Sequence, residues 1–506
     1  MTNYRRQAKA AALMCAVAAT GACDTLLEVD LPAAVTADAL DDPATAATQV
    51  NSVQGAVECA YSALVVHASG LEDNFQRVAG SGPGFSQYLD TPSGGSCDTG
   101  VWDDSFVENL LIARAEGYRS YDQILNTTAT VANKERLLST LALYNAVTLG
   151  VFGEYFCEFA ISTYDREAGV TNFGQLMTPS EVLDVAEGWT DSVFAHTPGL
   201  DSIRTTAGVV TRDIRQTAFG LRARIRYANG DLAGAAADAA MVTDNHVAWV
   251  LREDPEDRRN AVASVQGNAG GVQAQGFLQG AIAVGANPGV TELGSHPVTG
   301  VAWPSPVPFT GYLNLAIETA TGRPVSDTGN PLTTGAGMTA DTRVVHANGN
   351  TAGGSRPVER KYTSLADDIP LVNWREMRLI RAEAAGPSAA GVDHINAIRT
   401  AAGLPLVQGA YRTLVESDAD RFDDLIIEER RRALWLEARF WSTKIIKNEK
   451  LWFPRRVGEW QNVSNYELLG GVRMLMPQSE YQINPNFGGL DARGTGCPAG
   501  ERPKFN

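Results

Sequence analysis

Apolar positions along this chain recur mostly at helical spacing, and the most informative stretch is also a charged one. Within FDDLIIEERRRALWLEARF, the residues Phe422, Leu425, Ile426, Leu434, Leu436 and Phe440 form a stripe that predicts a helix over 422–440. The same stretch carries Glu428, Glu429, Arg430, Arg431, Arg432, Glu437 and Arg439. Glu428 precedes Arg431 by three residues and Arg432 by four, the spacing of neighbours on a helix. A solvated charged face is the ordinary reading of such a run, because exposed ion pairs contribute little. Trp435 and Trp441 among the charges point instead to guanidinium groups packed on rings and paired with Glu inside a helical stack.

The pattern nearer the start is helical as well. Asp42-Pro43 opens a helix with Asp at the cap and Pro in the first turn, and a stripe from Val50 through Val53, Val57 and Tyr61 to Leu64 carries it to about residue 67. Further helices are predicted over 102–126, 134–152 and 178–196, the last starting at Thr178-Pro179-Ser180-Glu181. Two more, over 212–227 and 232–242, are joined by Asn229-Gly230-Asp231. Ala223, Tyr227, Gly230, Ala235 and Ala239 stand at the close-packing positions of a tetratricopeptide-like pair, an arrangement repeated around 382–400. Over 251–369 the composition shifts to Gly, Asn, Thr, Pro and Val, which predicts loops with a few short strands inserted between helical halves. No run after the leader reaches the length of a membrane-spanning helix.

Composition changes the picture in three places. Arg5, Arg6 and Lys9, the small apolar run 10–19 and then Thr20-Gly21-Ala22-Cys23 form an export leader, after which the Cys23 thiol becomes a lipid anchor. Removal of residues 1–22 leaves 484, enough for one large domain or two to three smaller ones. The net charge of −16 becomes −19 without the three leader cations, and such a surface repels phosphate backbones, which argues against nucleic acid as a partner. Of the remaining cysteines, Cys59, Cys97, Cys157 and Cys497 allow two disulfides in three connectivities, and none forms a Cys-x-x-Cys metal pair.

Three segments of the last third, in order, resemble the RagB/SusD family of outer-membrane nutrient-uptake lipoproteins. ERRRALWLEARFW is similar to the family's charged C-terminal helix, with matches at Glu429, Arg430, Arg431, Leu434 and Glu437. Ala438 stands where the family has Gly, and Ala433 where it has Glu. DIPLVNWREMRLIRAEAAG with INAIRTAAGLP, and MPQSEYQINPNF, are similar to two further family segments. The resemblance implies a mainly α, SusD-like fold of stacked tetratricopeptide-like helix pairs with a loop-rich insertion. The domains read as a signal peptide (1–22), a lipid-anchored tether (23–40), an N-terminal helical repeat region (41–250), a ligand- and partner-facing insertion (251–369) and a C-terminal helical region (370–506).

Chemistry is conspicuous mainly by motif absence. The six histidines are isolated in sequence; there is no His-Glu-x-x-His, no Gly-x-Ser-x-Gly and no phosphate-cradling Gly-x-x-x-x-Gly-Lys-Ser/Thr. The chain is therefore read as a binding protein, neither an enzyme nor a holder of cofactor or metal. Sugar recognition needs ring faces against the apolar side of a pyranose and polar groups for its hydroxyls. Phe85, Tyr88 and Trp102 in or beside the Gly/Ser/Pro-rich loop 80–100, and Trp303, Phe309 and Tyr312 in GVAWPSPVPFTGYLN, supply the rings. The resemblance implies a lipid-anchored protein on the cell exterior that passes an oligosaccharide, or a peptide, to a SusC-like TonB-dependent barrel. Two alternatives stand: an exported carbohydrate-active hydrolase using a carboxylate pair, and a helical-repeat scaffold that binds only proteins.

Overall fold

Several helix starts carry a side chain that accepts their exposed N–H groups. A computed structural model describes residues 40, 42–72, 105–165, 168–197, 203–204, 211–254, 258–266, 315–326, 336–351, 354–447, 460–461, 466–467, 473–499 and 501. Asp42 accepts the N–H of Ala44 and leads through the short turn Pro43–Thr45 into α1 (Ala46–Leu71). Then come α2 (Ser105–Asn126), α3 (Lys134–Tyr155) and α4 (Pro179–Ala195), the last begun by a reciprocal Thr178–Glu181 capping box. Asp213 and Asp231 cap α5 (Ile214–Ala228) and α6 (Leu232–Ala239). A short α7 (Ala261–Gln266) precedes the strands of the insertion, and α8 (Trp374–Ala385), α9 (Ala389–Ala401), α10 (Gly409–Ser417) and α11 (Ala419–Ala433) follow them. The chain closes with α12 (Trp441–Ile446) and α13 (Gln478–Ile483). The architecture is mainly α, as the periodicity predicts.

Neighbours in sequence pack on one another from α1 through α6, and α8 then packs on α6, α9 and α11. Ala223, Tyr227, Ala235 and Ala239 do meet in one apolar cluster, together with Met377 and Ile380 of α8, so the small side chains admit close approach. Gly230 has a different task from the packing role expected of it. It takes φ +88 in the turn between α5 and α6, with open space where a Cβ would stand. By length and composition α3 is apolar enough to cross a membrane, contrary to the sequence expectation, yet 89% of that window is buried inside the protein. It is the central core helix.

The insertion leaves and rejoins the helices at one place. Strand β1 (Val247–Val250) pairs antiparallel with the wholly buried β5 (Ile369–Asn373), Val250 opposite Ile369 and Val247 opposite Asn373. Between them lies a three-stranded antiparallel sheet with β2 (Leu315–Glu318) at its centre, flanked by β3 (Pro324–Ser326) and β4 (Met338–Ala340). Cys157 is bonded to Cys497 across 340 residues, which selects among the possible connectivities; Cys59 is also disulfide-bonded, and Cys97 lies outside the described residues. Next to that bond Cys157 donates to the carbonyl of Met474 at 3.0 Å, and Met474 to that of Tyr155 at 2.7 Å, so the C-terminal segment docks on the end of α3.

The helix expected over 422–440 ends at Ala433. Leu436 and Ala438 adopt φ +57 and +55, and α12 then starts afresh at Trp441. The carbonyls of this break are used elsewhere: Trp435 accepts from Lys361 Nζ, Leu436 from the Tyr362 hydroxyl at 3.0 Å, and Ala438 from the Tyr155 hydroxyl. A continuous helix would have kept those carbonyls for itself. Left-handed backbone strains an alanine by roughly 1–2 kcal/mol, a strain that glycine escapes. Ala438→Gly is accordingly expected to raise stability in urea denaturation by about 0.5–1 kcal/mol, the glycine's larger unfolded-state entropy offsetting part of the relief.

Candidate functional site

The charged face of α11 is sealed, not solvated. Glu428, Glu429, Arg430, Arg431 and Arg432 are each at most 1% exposed. Guanidinium and carboxylate alternate along it. Arg399 reaches Glu429 at 2.7 Å, Arg343 bridges Glu429 (2.6 Å) and Asp341 (2.7 Å), and Arg432 joins Asp341 (3.2 Å) to Glu428 (2.8 Å), which also receives Arg431. Spare donors go to the insertion: Arg432 Nη1 to the carbonyl of Ala316 at 2.9 Å and Arg399 Nη1 to that of Gly322. Burial weighs most heavily against the Glu429 carboxylate, yet Arg343 and Arg399 outweigh it and hold the group at about 2. Asp341 is likewise held well below its usual range, Arg343 and Arg432 overcoming its burial.

A second set of buried pairs runs into the helical stack. Arg430 pairs with Glu383 of α8 at 2.6 Å and lies 4.2 Å over the Tyr227 ring, so guanidinium packing on a ring does occur, with a partner other than the expected tryptophans. Trp435 and Trp441 are buried apolar members of the main core. Arg224 of α5 pairs with Glu376 at 2.6 Å, and Arg439, from the break after α11, with Glu154 of α3 at 3.0 Å. Nothing in the sequence around Asp341 or Arg343 marks them as partners of α11; the pairing is made by tertiary approach alone.

The six predicted ring residues, Phe85, Tyr88, Trp102, Trp303, Phe309 and Tyr312, lie outside the described residues, as does Cys23. What is described is the ground from which their segments spring. Residues 73–104 are flanked by Glu72, at the end of α1, and Ser105, at the start of α2; the His67 and Phe106 rings meet there at 4.9 Å. Residues 267–314 follow α7, which Ala261 N–H joins to the Ser62 hydroxyl of α1 at 2.9 Å. Ser62 and Glu72 are ten residues apart, roughly 15 Å along a helix, so α1 carries both the residue that precedes the first ring-bearing segment and the anchor of the helix that precedes the second. Leu40, where the described chain begins, accepts hydrogen bonds from Gln49 of α1 and Gln123 of α2, each at 2.6 Å.

Other rings are committed to the scaffold. Trp189 donates to the Tyr118 hydroxyl at 2.8 Å and meets Tyr121 edge-on, which knits α4 to α2. His196 sits between Tyr121 and Glu135, each at 2.7 Å. His394 is pushed down to about 4 by burial and by Arg381 and Arg378. Among the described residues no three His, Cys, Asp or Glu side chains converge as metal ligands would. Tyr164 and Phe173 are exposed aromatics on an outer hairpin (Thr163–Asp165 with Val170–Asn172) and its continuation, and no sequence signal distinguishes them.

Two opposed pH dependences follow. Glu72 is fully buried, and burial raises its carboxyl to about 7 against the pull of Arg439 and of the Phe440 and Trp441 N–H groups, which it accepts at 3.0 Å. From an ordinary 4.5, it binds its proton more tightly when folded, so the stability it confers is complete below about 4.5 and is lost as pH rises through 7. Unfolding free energy measured by urea titration should therefore fall by up to roughly 3 kcal/mol over that window, and Glu72→Gln should flatten it. Glu429 has the opposite sign: its contribution is present above about 4.5 and is lost as pH falls towards 2. Glu429→Gln should cost about 3–5 kcal/mol at neutral pH, because it leaves two buried guanidinium groups short of a partner.

No protein-family model and no curated protein matches the sequence. Solved structures do. A SusD superfamily protein from Bacteroides vulgatus aligns with a TM-score of 0.55 at 12% identity, covering 88% of this chain and 97% of that one. A SusD-like carbohydrate binding protein from the same species aligns at 0.52 and 10% identity over 92% of this chain and 99% of its own. Surface glycan-binding protein A from Bacteroides uniformis aligns at 0.50 and 13% identity, over 86% and 98%. At these identities the likeness speaks for architecture, and with nearly the whole of each neighbour covered, the chain has the SusD-like fold.

Proposed function

We propose that this chain is a lipid-anchored glycan-binding protein of the outer cell surface, which captures an oligosaccharide and hands it to a SusC-like TonB-dependent barrel in the outer membrane. The observation that carries the reading is the fold, shared with proteins named for carbohydrate or glycan binding, with α1 ending just before the first ring-bearing segment and anchoring the helix that precedes the second. A rigid helical stack is the scaffold on which binding loops keep their relative positions. The acidic surface sets no penalty against neutral sugars. Cys23 supplies the anchor, and Phe85, Tyr88, Trp102, Trp303, Phe309 and Tyr312 the rings. The protein acts by binding, without turnover of its ligand.

Isothermal titration of the purified mature chain against a glycan panel, with an assay for new reducing ends, tests this directly. Binding without product is expected; product formation abolished by one carboxylate substitution would establish the hydrolase instead. Trp102→Ala or Trp303→Ala should weaken affinity by about 1–3 kcal/mol with little change in melting temperature. Early melting of both variants would identify the rings as core anchors. Cys23→Ala should move the protein from the membrane to the soluble fraction, and unchanged membrane association would exclude that anchor.

A further inference from the structure

Deep in the helical stack, a small cavity of about 10 Å³ lies where α1, α3 and α5 meet the break after α11. Its wall includes Tyr61, Gly150, Glu154, Leu221, Arg224 and Arg439. The Tyr61 side chain, from α1, is 1% exposed, and its hydroxyl has no hydrogen-bond partner among the described residues. Burial raises the phenol above its ordinary range, so at neutral pH the hydroxyl keeps its proton and can both donate and accept. Arg224 sends Nε and Nη2 to Glu376 and Nη2 also to the Leu371 carbonyl; its Nη1 makes no hydrogen bond among the described residues. The Glu154 carboxylate accepts from Arg439 at 3.0 Å and from the Ser442 hydroxyl, and has lone pairs to spare.

Volume and charge together decide what fits. About one probe sphere, roughly 10–15 Å³, is the least space that holds a water, and such a water needs two to four polar partners. Arg224 is matched by Glu376 and Arg439 by Glu154, so the four charges cancel and offer neither an anion nor a cation a net field. An apolar occupant would leave the Tyr61 hydroxyl and the Arg224 amino group unsatisfied. We propose that this cavity is a built site for one water molecule, which joins the Tyr61 hydroxyl of α1 to Arg224 of α5 and Glu154 of α3. The water then belongs to the same buried polar system as the ion pairs, and it is independent of any ligand at the cell surface.

Thermal denaturation of Tyr61→Phe in the full mature chain separates the possibilities by sign. With the water in place, removal of the hydroxyl deletes one of its anchors, and the melting temperature should fall by about 1–3 °C. In a dry cavity the same substitution deletes an unsatisfied buried hydroxyl, so an unchanged or higher melting temperature overturns the proposal. A high-resolution crystal structure of the unsubstituted chain should show one density peak within hydrogen-bond distance of Tyr61 Oη. No peak there, or an anomalous peak after a bromide soak, overturns it in favour of an empty or an anion-holding cavity.

Discussion

The alternation of guanidinium and carboxylate groups around α11 is the constraint on which the rest of the structure depends. Buried charge is costly unless every group is matched, and here the match draws on parts of the chain far apart in sequence: Arg399 and Glu429 from the C-terminal helices, Asp341 and Arg343 from the insertion. None of these groups can be left unpartnered without a charge stranded in the core. The helical stack and the insertion are therefore held in one register by electrostatics, where apolar packing alone would tolerate slippage. The second set of pairs, through Arg430, Arg224 and Arg439, extends the same logic to α8, α5 and α3.

Much of the helical framework could be read before any coordinates. Asp42-Pro43, Thr178-Pro179-Ser180-Glu181 and Asn229-Gly230-Asp231 mark helix ends because each satisfies a local backbone need, and local needs are written locally. The small residues of α5 and α6 were equally legible as packing positions. The break after Ala433 was not. Leu436 and Phe440 keep helical spacing, and the distant hydroxyls of Tyr362 and Tyr155 and the amine of Lys361 take up the carbonyls of the break. The burial of α11 was legible only in part: tryptophans among charges hinted at an interior, while Asp341 and Arg343 carried no such hint.

For the proposed binding site the balance is reversed. Ring-rich, Gly- and Pro-rich segments are visible in the sequence because their composition departs from that of the helices around them. Which rings present a face to a ligand depends on loop geometry, and no periodicity records that. What the fold adds is the tie between α7, which precedes one of those segments, and α1, which precedes the other, a relation between residues 62 and 261 that no motif spells out.

The pairing of β1 with β5 has a further bearing on how such a chain can change over generations. Since residue 250 and residue 369 already stand opposite one another, everything between them is an excursion whose two ends are tied. Lengthening a tied excursion adds only a slowly growing entropic cost, about 0.6 kcal/mol for each doubling. Among the described residues the stretch is constrained where it returns to the core, through Ala261 and Val262 of α7, Leu315 of β2, and Asp341, Arg343, Lys361 and Tyr362. The pairing thus works as a socket: it fixes where the excursion leaves and rejoins the helical frame, whatever the length of chain between.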